Sequence, residues 1–468
     1  MTAPAEDELT TTSRGTAWLE TLRGRAVTVV GLAKSGVAAA RLLQRAGARV
    51  TAADDKPLDV LGPDAHALAR AGIPMRTGRP TEEAVRGADL VVVSPGVRLD
   101  AAPLRAARAA GIPVLGELEL GWRAVEAETI AITGTNGKTT TTSLTGALLR
   151  GQVRPVVVAG NIGSPASAHD DCPPDAVLVL EVSSFQLETI DAFQPRVAVV
   201  LNVTPDHLDR HGDFAGYVDA KARIFMNQTP GDCAVLNADD PVTVELAKRT
   251  RAHVVWFSRT RFLDHGVFVR DGRVAAKLNG HAEEICPVSE IFLRGQHNVE
   301  NVLAATASAL WAGLAPEAIR RGIAAFRGVA HRIELIRDLR GVHYYNDSKG
   351  TNVASTIKAL ESFSEPVVLI AGGLGKGQDF RPLAEAARDR VTHAVLIGQD
   401  GPALAAALEA EGIPCTASTS LESALGVARD AAGAGDVVLL SPACASFDMF
   451  DNFEHRGDVF RRLVMGLA

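Results

Sequence analysis

The sequence predicts an α/β protein with mostly parallel sheets. Short β-branched runs alternate with Ala/Leu-rich helical patterns, the alternation restarts twice, and 468 residues suffice for about three domains of ~150 residues each. Apolar residues make up 47% of the chain and charged residues 22%, enough for several buried cores.

In the first block, a run at Ala26 to Val30 reads as a strand and Gly31 to Gly36 as a glycine turn. A helix is expected over Val37 to Ala46, and a strand over Arg49 to Ala53, closed by Asp54-Asp55. A strand at Leu90 to Val93, a turn at Ser94-Pro95-Gly96, a helix at Ala101 to Ala110 and a strand at Ile112 to Leu115 complete it. The second block opens at Thr129 to Thr133, has strands at Ala176 to Glu181 and Val197 to Asn202, and ends in helices near Asn298 to Ala312 and Pro316 to Phe326. The third begins near Arg332, with strands at Val342 to Asn346, Val367 to Ala371, Ala394 to Ile397 and Val437 to Leu440. These restarts divide the chain into a disordered leader (1–16) and domains at 17–124, 125–328 and 329–468.

Composition excludes several classes. A net charge of −7 argues against a nucleic-acid partner, which calls for a basic face. Five cysteines (Cys172, Cys233, Cys286, Cys415 and Cys444) are scattered without a C-x-x-C pair, as in a reducing compartment without a structural zinc site. The polar, acidic start lacks a signal peptide's apolar run, and no apolar stretch is long enough to span a bilayer. A soluble cytoplasmic protein is expected.

The sharpest motif is Gly134-Thr135-Asn136-Gly137-Lys138-Thr139-Thr140, between a strand-like run and a helical pattern. Glycines let the backbone aim N–H groups at one point, and the helix N-terminus favours an anion. Lys138 can neutralise phosphate charge and Thr139 can ligate Mg²⁺. It is a shortened G-x-x-G-K-[ST] motif, since Ile132 stands where the longer form has its first glycine. The bland reading of the same residues is a polar turn capping a helix. A weaker loop, Gly31 to Gly36, has Ala33 in place of a middle glycine and an acidic pair about 20 residues on. It reads equally as a structural turn or as a site for a nucleotide-sugar pyrophosphate.

Glu181 ends a buried-looking strand, where a carboxylate suits Mg²⁺, although it could instead cap a helix before Ser183-Ser184. His207, in Asn202-Val203-Thr204-Pro205-Asp206-His207-Leu208-Asp209, could hold a second metal, orient a substrate carboxylate or be structural. Lys221, in a helix-like stretch, reads by default as part of a solvated face.

Together these motifs resemble the Mur ligases. The resemblance also rests on Gly160-Asn161-Ile162-Gly163, Glu181-Val182-Ser183-Ser184-Phe185-Gln186-Leu187, Gly295-Gln296-His297-Asn298, His331-Arg332 and Asn346-Asp347-Ser348-Lys349-Gly350-Thr351-Asn352. It spans nearly the whole chain from about residue 26. Ser441-Pro442-Ala443-Cys444-Ala445-Ser446-Phe447-Asp448, with Asn452-Phe453 and no Asp-Asn-Pro-Arg run, resembles the members that add D-glutamate to UDP-N-acetylmuramoyl-L-alanine.

The resemblance implies an N-terminal Rossmann-like UDP-binding domain, a central P-loop ATPase domain and a C-terminal Rossmann-like domain that closes over the site. It implies that Lys34, Ser35, Asp54, Asp55 and Ser94 meet the UDP portion, and that Asn161, Ser183 and Gln186 line the path of the muramoyl-alanine arm. Gly134 to Thr140 would hold the ATP phosphates, with Asn301, Arg332, Asp347 and Lys349 completing the nucleotide site. Thr139 and Glu181 would hold one Mg²⁺, and His207 with Lys221, carbamylated in the family, a second. Lys138, His207 and Lys221 are thereby the expected catalytic residues. Thr351, Lys376, Ser446 and Phe453 would position D-glutamate. In the family pattern Gly375 replaces an Asp. The expected partners are these small molecules alone, acting on a monomer, with no nucleic acid and no membrane. A folylpolyglutamate-synthase-like ligase shares the short loop but lacks a UDP-binding first domain. An NAD oxidoreductase would use the first glycine loop, whose missing middle glycine counts against it. A catalytically silent nucleotide-binding protein would not need Lys138, Thr139, Glu181 and His207, all of which are present.

Overall fold

A computed structural model describes residues 13–78, 82–150, 154–278, 280–375 and 377–468. Residues 1–12 of the expected leader lie outside these. Residues 13–16 are built into the fold: Arg14 donates to the carbonyls of Trp122 (3.3 Å) and Ala127 (3.0 Å), and a helix starts at Thr16. Among the described residues the strands form three sheets. The chain divides into two compact units: residues up to Glu290 with Glu300–Ala324, and Ile291–Val299 with Ala325–Ala468.

The first unit holds two sheets. In the N-terminal one, β1 (Ala26–Val30), β2 (Arg49–Asp54), β3 (Met75–Thr77), β4 (Leu90–Val93) and β5 (Val114–Gly116) are all parallel, in the order 3-2-1-4-5. A parallel sheet is covered on both faces, which is why β4 reads as an unbroken apolar run and is wholly buried. The helix after β1 spans Lys34–Arg45, three residues earlier than its apolar pattern suggests, because it opens on Lys34, Ser35 and Gly36, which carry no apolar side chain.

The central sheet has nine strands: β6 (Glu128–Thr133), β7 (Val156–Gly160), β8 (Val177–Glu181), β9 (Val197–Val200), β10 (Cys233–Asn237), β11 (His253–Ser258), β12 (Gly266–Arg270), β13 (Arg273–Leu278) and β14 (His281–Pro287). Their order is 14-13-12-11-10-9-6-8-7, parallel from β7 to β12 and antiparallel at β12–β13–β14. The alternation in the sequence marks β6, β8 and β9 but not β7 or β10 to β14. The last of these is an edge strand with four exposed residues at its start, so it has no apolar signature. One apolar core runs through both sheets, from Trp18 and Leu43 to Phe193 and Leu236. Buried Arg123 sits between them, paired with Glu119 and Asp191, each at 2.6 Å.

The second unit holds β15 (Glu334–Leu339), β16 (Val342–Asn346), β17 (Val367–Gly372), β18 (Val391–Ile397), β19 (Cys415–Ala417) and β20 (Val437–Leu440), in the order 15-16-20-17-18-19. Of these strand pairs β15–β16 is antiparallel and the rest are parallel. Separate apolar cores cover the two faces. The α/β class, the mostly parallel sheets and the three-domain plan agree with the sequence reading. Ligand-facing residues of such sheets come from loops at the C-terminal strand ends.

Candidate active site

β9, β6 and β8 are neighbours, so the segments leaving Val200, Thr133 and Glu181 emerge side by side. The Gly134–Thr140 loop follows β6 and enters the helix Lys138–Leu149. Gly137 caps that helix at φ +86°, left-handed backbone that a side chain resists, and a Cβ there would collide with Asn301 Oδ1. Asn202 braces the loop: its carbonyl accepts from Thr135 N and its side chain from Asn136 N, each at 2.9 Å. Thr135 Oγ1 donates to Thr204 O (3.1 Å) and lies 3.2 Å from the Tyr217 hydroxyl. Lys138 Nζ donates to the carbonyls of Gly134 and Thr135, both at 2.8 Å. Thr141 Oγ1 donates to Asn301 Oδ1 at 3.2 Å, which brings Asn301 to the loop.

Lys221 overturns the solvated-face expectation. It is 1% exposed, and its amine donates to Gly134 O (2.8 Å) and Thr133 Oγ1 (3.4 Å) and rests 4.6 Å from the Tyr217 ring. Burial, and then the charge of Lys138, lower its pKa well below the usual lysine range. Helical spacing alone does not say which side of Phe214–Ala222 faces solvent when its neighbours are alanines.

Glu181 is 2% exposed. Oε1 accepts from Asn161 Nδ2 at 2.9 Å, while buried Oε2 has no hydrogen-bond partner. It does not cap the next helix; Ser183 does, in a reciprocal box with Gln186. Ser183 N and Oγ both donate to Gln186 Oε1, at 2.9 and 3.0 Å, so these two residues first shape their own turn. His207 stands at φ +52°, half exposed, 3.5 Å from Asp206 and edge-on to Phe185. The hydrogen bonds of Lys221 run to the end of β6 and the start of the glycine loop, not to His207.

No three His, Cys, Asp or Glu side chains converge among the described residues. The orphaned Glu181 oxygen nonetheless fits a hard divalent cation, since a buried carboxylate oxygen without a donor is costly unless a cation meets it. As an ammonium Lys221 is a donor and no ligand, and only a modified form would give a hard cation an oxygen there.

In the N-terminal sheet, Asp54 is a loop brace: Oδ2 accepts from Leu32 N (2.6 Å) and Oδ1 from Lys56 N (2.9 Å). Asp55 and Lys34 are exposed and Ser35 is half-buried. Ser94 Oγ donates to Gly31 O at 2.8 Å. A Cβ on Gly36 would collide with that same carbonyl, so this glycine is sterically required. Ala33 is extended (φ −73°, ψ −174°) and needs no glycine.

In the second unit, Asp347 is buried and accepts from Ser441 Oγ (2.7 Å) and Ile333 N (3.3 Å). Burial pushes its carboxyl up to about 6, against the pull of Ser441 and Arg332. Arg332 has a buried Nε without a hydrogen-bond partner. Lys349 Nζ lies 5.8 Å from the Phe453 ring, Ser446 is buried, and Thr351 is half-buried. Lys376 lies outside the described residues. Beside it, Gly375 N donates to Asp400 (2.7 Å), and a Cβ at 375 would meet Phe380 Cζ at 2.8 Å. An Asp would not fit here without a shift. The sequence reading missed the braces: Asn202, Tyr217, and Arg456, buried beneath Ser348 and Cys444. Asn202 lay inside a quoted motif, but nothing in residue type alone marked its role.

Three family models match the chain in order: Mur ligase MurD-like, N-terminal domain (25–116), Mur ligase middle domain (132–309) and Mur ligase, glutamate ligase domain (331–444). A UDP-N-acetylmuramoylalanine--D-glutamate ligase of Koribacter versatilis is 48% identical over 450 residues, covering 96% of this chain and 98% of that protein. One from Pelotomaculum thermopropionicum is 47% identical over 443 residues, covering 94% and 97%. Among solved structures, the UDP-N-acetylmuramate-alanine ligase of Thermotoga maritima superposes with TM-score 0.61 at 20% identity, over 94% of this chain and 99% of that one. MurF from Acinetobacter baumannii gives 0.58 at 19%, over 82% and 87%. These two likenesses speak for the fold. With three family models in order along the chain and identity near one half over more than nine-tenths of it, and with a glycine loop, its braces and a buried strand-end carboxylate in one place, the chain belongs to the Mur ligase family.

Proposed function

We propose that the chain joins D-glutamate to UDP-N-acetylmuramoyl-L-alanine at the expense of ATP, a cytoplasmic step in making peptidoglycan precursors. The observation that carries it is the near-complete coverage, at 47–48% identity, of relatives with that name. The geometry supports the phosphoryl-transfer half: a glycine loop at a helix N-terminus, Lys138 at its mouth, and Glu181 at the end of β8, the strand paired with β6. The N-terminal domain match at 25–116 weighs against a folylpolyglutamate-synthase-like reading.

A carboxylate resists amide formation because its oxygen is a poor leaving group. In the proposed reaction an L-alanine carboxylate oxygen attacks the γ-phosphorus of ATP and ADP leaves. The amine of D-glutamate then attacks the acyl phosphate, loses a proton and expels phosphate. Lys138 would exchange the carbonyls of Gly134 and Thr135 for phosphate oxygens, and the loop N–H groups would hold the β-phosphate. Thr139 and Glu181 would hold one Mg²⁺, which supplies charge neutralisation on the phosphates. His207 and a carbamylated Lys221 would hold a second. A buried amine kept neutral is the form that reacts with carbon dioxide, so the depressed pKa of Lys221 supports that role. Asn161, Ser183 and Gln186 would line the muramoyl-alanine path. Lys34, Ser35, Asp55 and Ser94 would meet UDP, with Asp54 holding their loop. Asn301, Arg332, Asp347 and Lys349 would serve the nucleotide, and Thr351, Lys376, Ser446 and Phe453 D-glutamate.

The test is phosphate release with ATP, Mg²⁺ and UDP-N-acetylmuramoyl-L-alanine, comparing D-glutamate, L-glutamate and a diamino acid. Release with D-glutamate alone is expected. Preference for the diamino acid, or no release with any, would sink the assignment.

A further inference from the structure

Arg456 is a buried cation held by neutral partners, with Asp448 and Asp347 acting on it only from beyond ion-pair distance. It lies in the first turn of the helix Phe453–Met465, is 1% exposed, and no carboxylate reaches ion-pair distance among the described residues. Burying a guanidinium is expensive unless its donors are satisfied. Here Nε donates to Ser348 Oγ (2.9 Å), Nη2 to Ser348 O (2.9 Å), and Nη1 and Nη2 both to Cys444 O (3.2 Å). Burial lowers its pKa to about 10, still charged at neutral pH.

These partners sit in two loops. Ser348 lies between Asp347 and Lys349, and Cys444 two residues before Ser446. The helix adds further ties: Ser348 Oγ donates to Phe453 O (2.8 Å), and Asn346 Nδ2 to Gly457 O (3.1 Å). The loops also meet directly, where Ala443 N donates to Gly350 O (2.8 Å) and Ser441 Oγ to Asp347. Ala443 takes a left-handed φ of +58° in that junction, a conformation kept only when its surroundings hold it.

We infer that Arg456 is a positioning residue that fastens the nucleotide loop (346–350) and the amino-acid loop (441–446) to one helix, so that nucleotide and amino acid bind to a shared rigid block and strengthen each other's binding. This rests on the proposed roles of Asp347, Lys349, Ser446 and Phe453. The planar fork is essential: one flat group spans a hydroxyl and two carbonyls, which a lysine's compact ammonium cannot do. Ordering one loop then removes part of the ordering cost of the other.

The test compares wild type with Arg456→Lys and Arg456→Met. In the wild type, saturating ADP is expected to tighten D-glutamate binding, read by calorimetry, and Arg456→Lys to abolish that enhancement. The KM for D-glutamate should rise on the order of 10-fold in Arg456→Lys, with the KM for UDP-N-acetylmuramoyl-L-alanine within about twofold. An unchanged D-glutamate KM, or equal rises in all KM values, would overturn the inference. Should Arg456→Met fail to fold, Arg456→Lys decides. Amide hydrogen exchange needs no turnover: 346–350 and 441–446 should open as one unit in wild type and separately in Arg456→Lys. Separate opening in the wild type refutes the coupling even if the ligase reading holds. Joint opening supports it even if D-glutamate proves the wrong amine.

Discussion

Replacing Asp347 with Asn should stabilise the C-terminal unit at neutral pH while impairing the enzyme. Burial lifts the Asp347 carboxyl from 3.8 to about 6, with Ser441 and Arg332 only partly opposing the rise. Between those values the folded chain holds a proton that the unfolded chain has released. Stability therefore falls as pH rises through the window, and the loss is complete above the folded value. About two pKa units at 1.36 kcal/mol each give a penalty of about 3 kcal/mol at neutral pH. Asn keeps an acceptor for Ser441 Oγ or Ile333 N, and its new amide donor costs about 1 kcal/mol if it finds no partner. The net gain is about 2 kcal/mol near pH 7–8, vanishing or reversing near pH 4. All four tryptophans lie in the other unit, so fluorescence would miss the effect. Amide exchange of Val367–Gly372 in the full-length chain, corrected for intrinsic rates, reads it as a roughly 30-fold slower opening at pH 7. Identical pH slopes for wild type and variant between pH 4 and 6 would refute the assignment of a buried, penalised carboxylate.

Lys138→Ala should lower ATP-dependent phosphate release by at least about 100-fold with little loss of fold, since the bonds it gives up are to two loop carbonyls; near-normal turnover would remove the loop from the mechanism. Lys221→Ala should lose activity that short carboxylic acids partly restore in a turnover assay, and full activity without them would end the carbamate role. Because burial depresses the pKa of the unmodified Lys221 amine, the folded chain binds fewer protons than the unfolded one between that depressed value and about 10.5, so in carbon-dioxide-free buffer stability rises with pH across that window. Lys221→Met should flatten that rise, measured by chemical unfolding across pH 7–10. Gly36→Ala should weaken UDP binding, read by calorimetry, and destabilise by roughly 1–3 kcal/mol, because its Cβ meets the Gly31 carbonyl that Ser94 also engages; unchanged affinity would show that this loop does not contact UDP.

Much of the architecture was legible because parallel strands buried on both faces are written as apolar runs. β1, β4, β16 and β20 coincide with their sequence-read spans. The central sheet's β7 and β10 to β14 were not read: β13 and β14 carry charged, partly exposed residues, whereas β10 is a short, uncharged and fully buried run that no flanking pattern singled out. The Gly134–Thr140 loop was legible because its geometry is local: glycines at fixed spacing before a helix mark the turn that the structure shows, and its proposed phosphate role follows from that chemistry. Asp54 first braces its own loop, each carboxylate oxygen accepting one N–H, from Leu32 and Lys56, a role that its place after the second strand did not reveal.

The sequence by itself determined the fold class, the three-part plan, the glycine loop before the helix at Lys138, and the likeness that points to a carboxylate–amine ligase. Tertiary structure alone decided strand order, the burial of Lys221 against Gly134, the orphaned oxygen of Glu181, and the clamp of Arg456 on two distant loops. The division has one physical cause. Backbone propensity and spacing act over a few residues, whereas burial and charge pairing depend on what a residue meets across gaps of 87 to 108 positions in the chain.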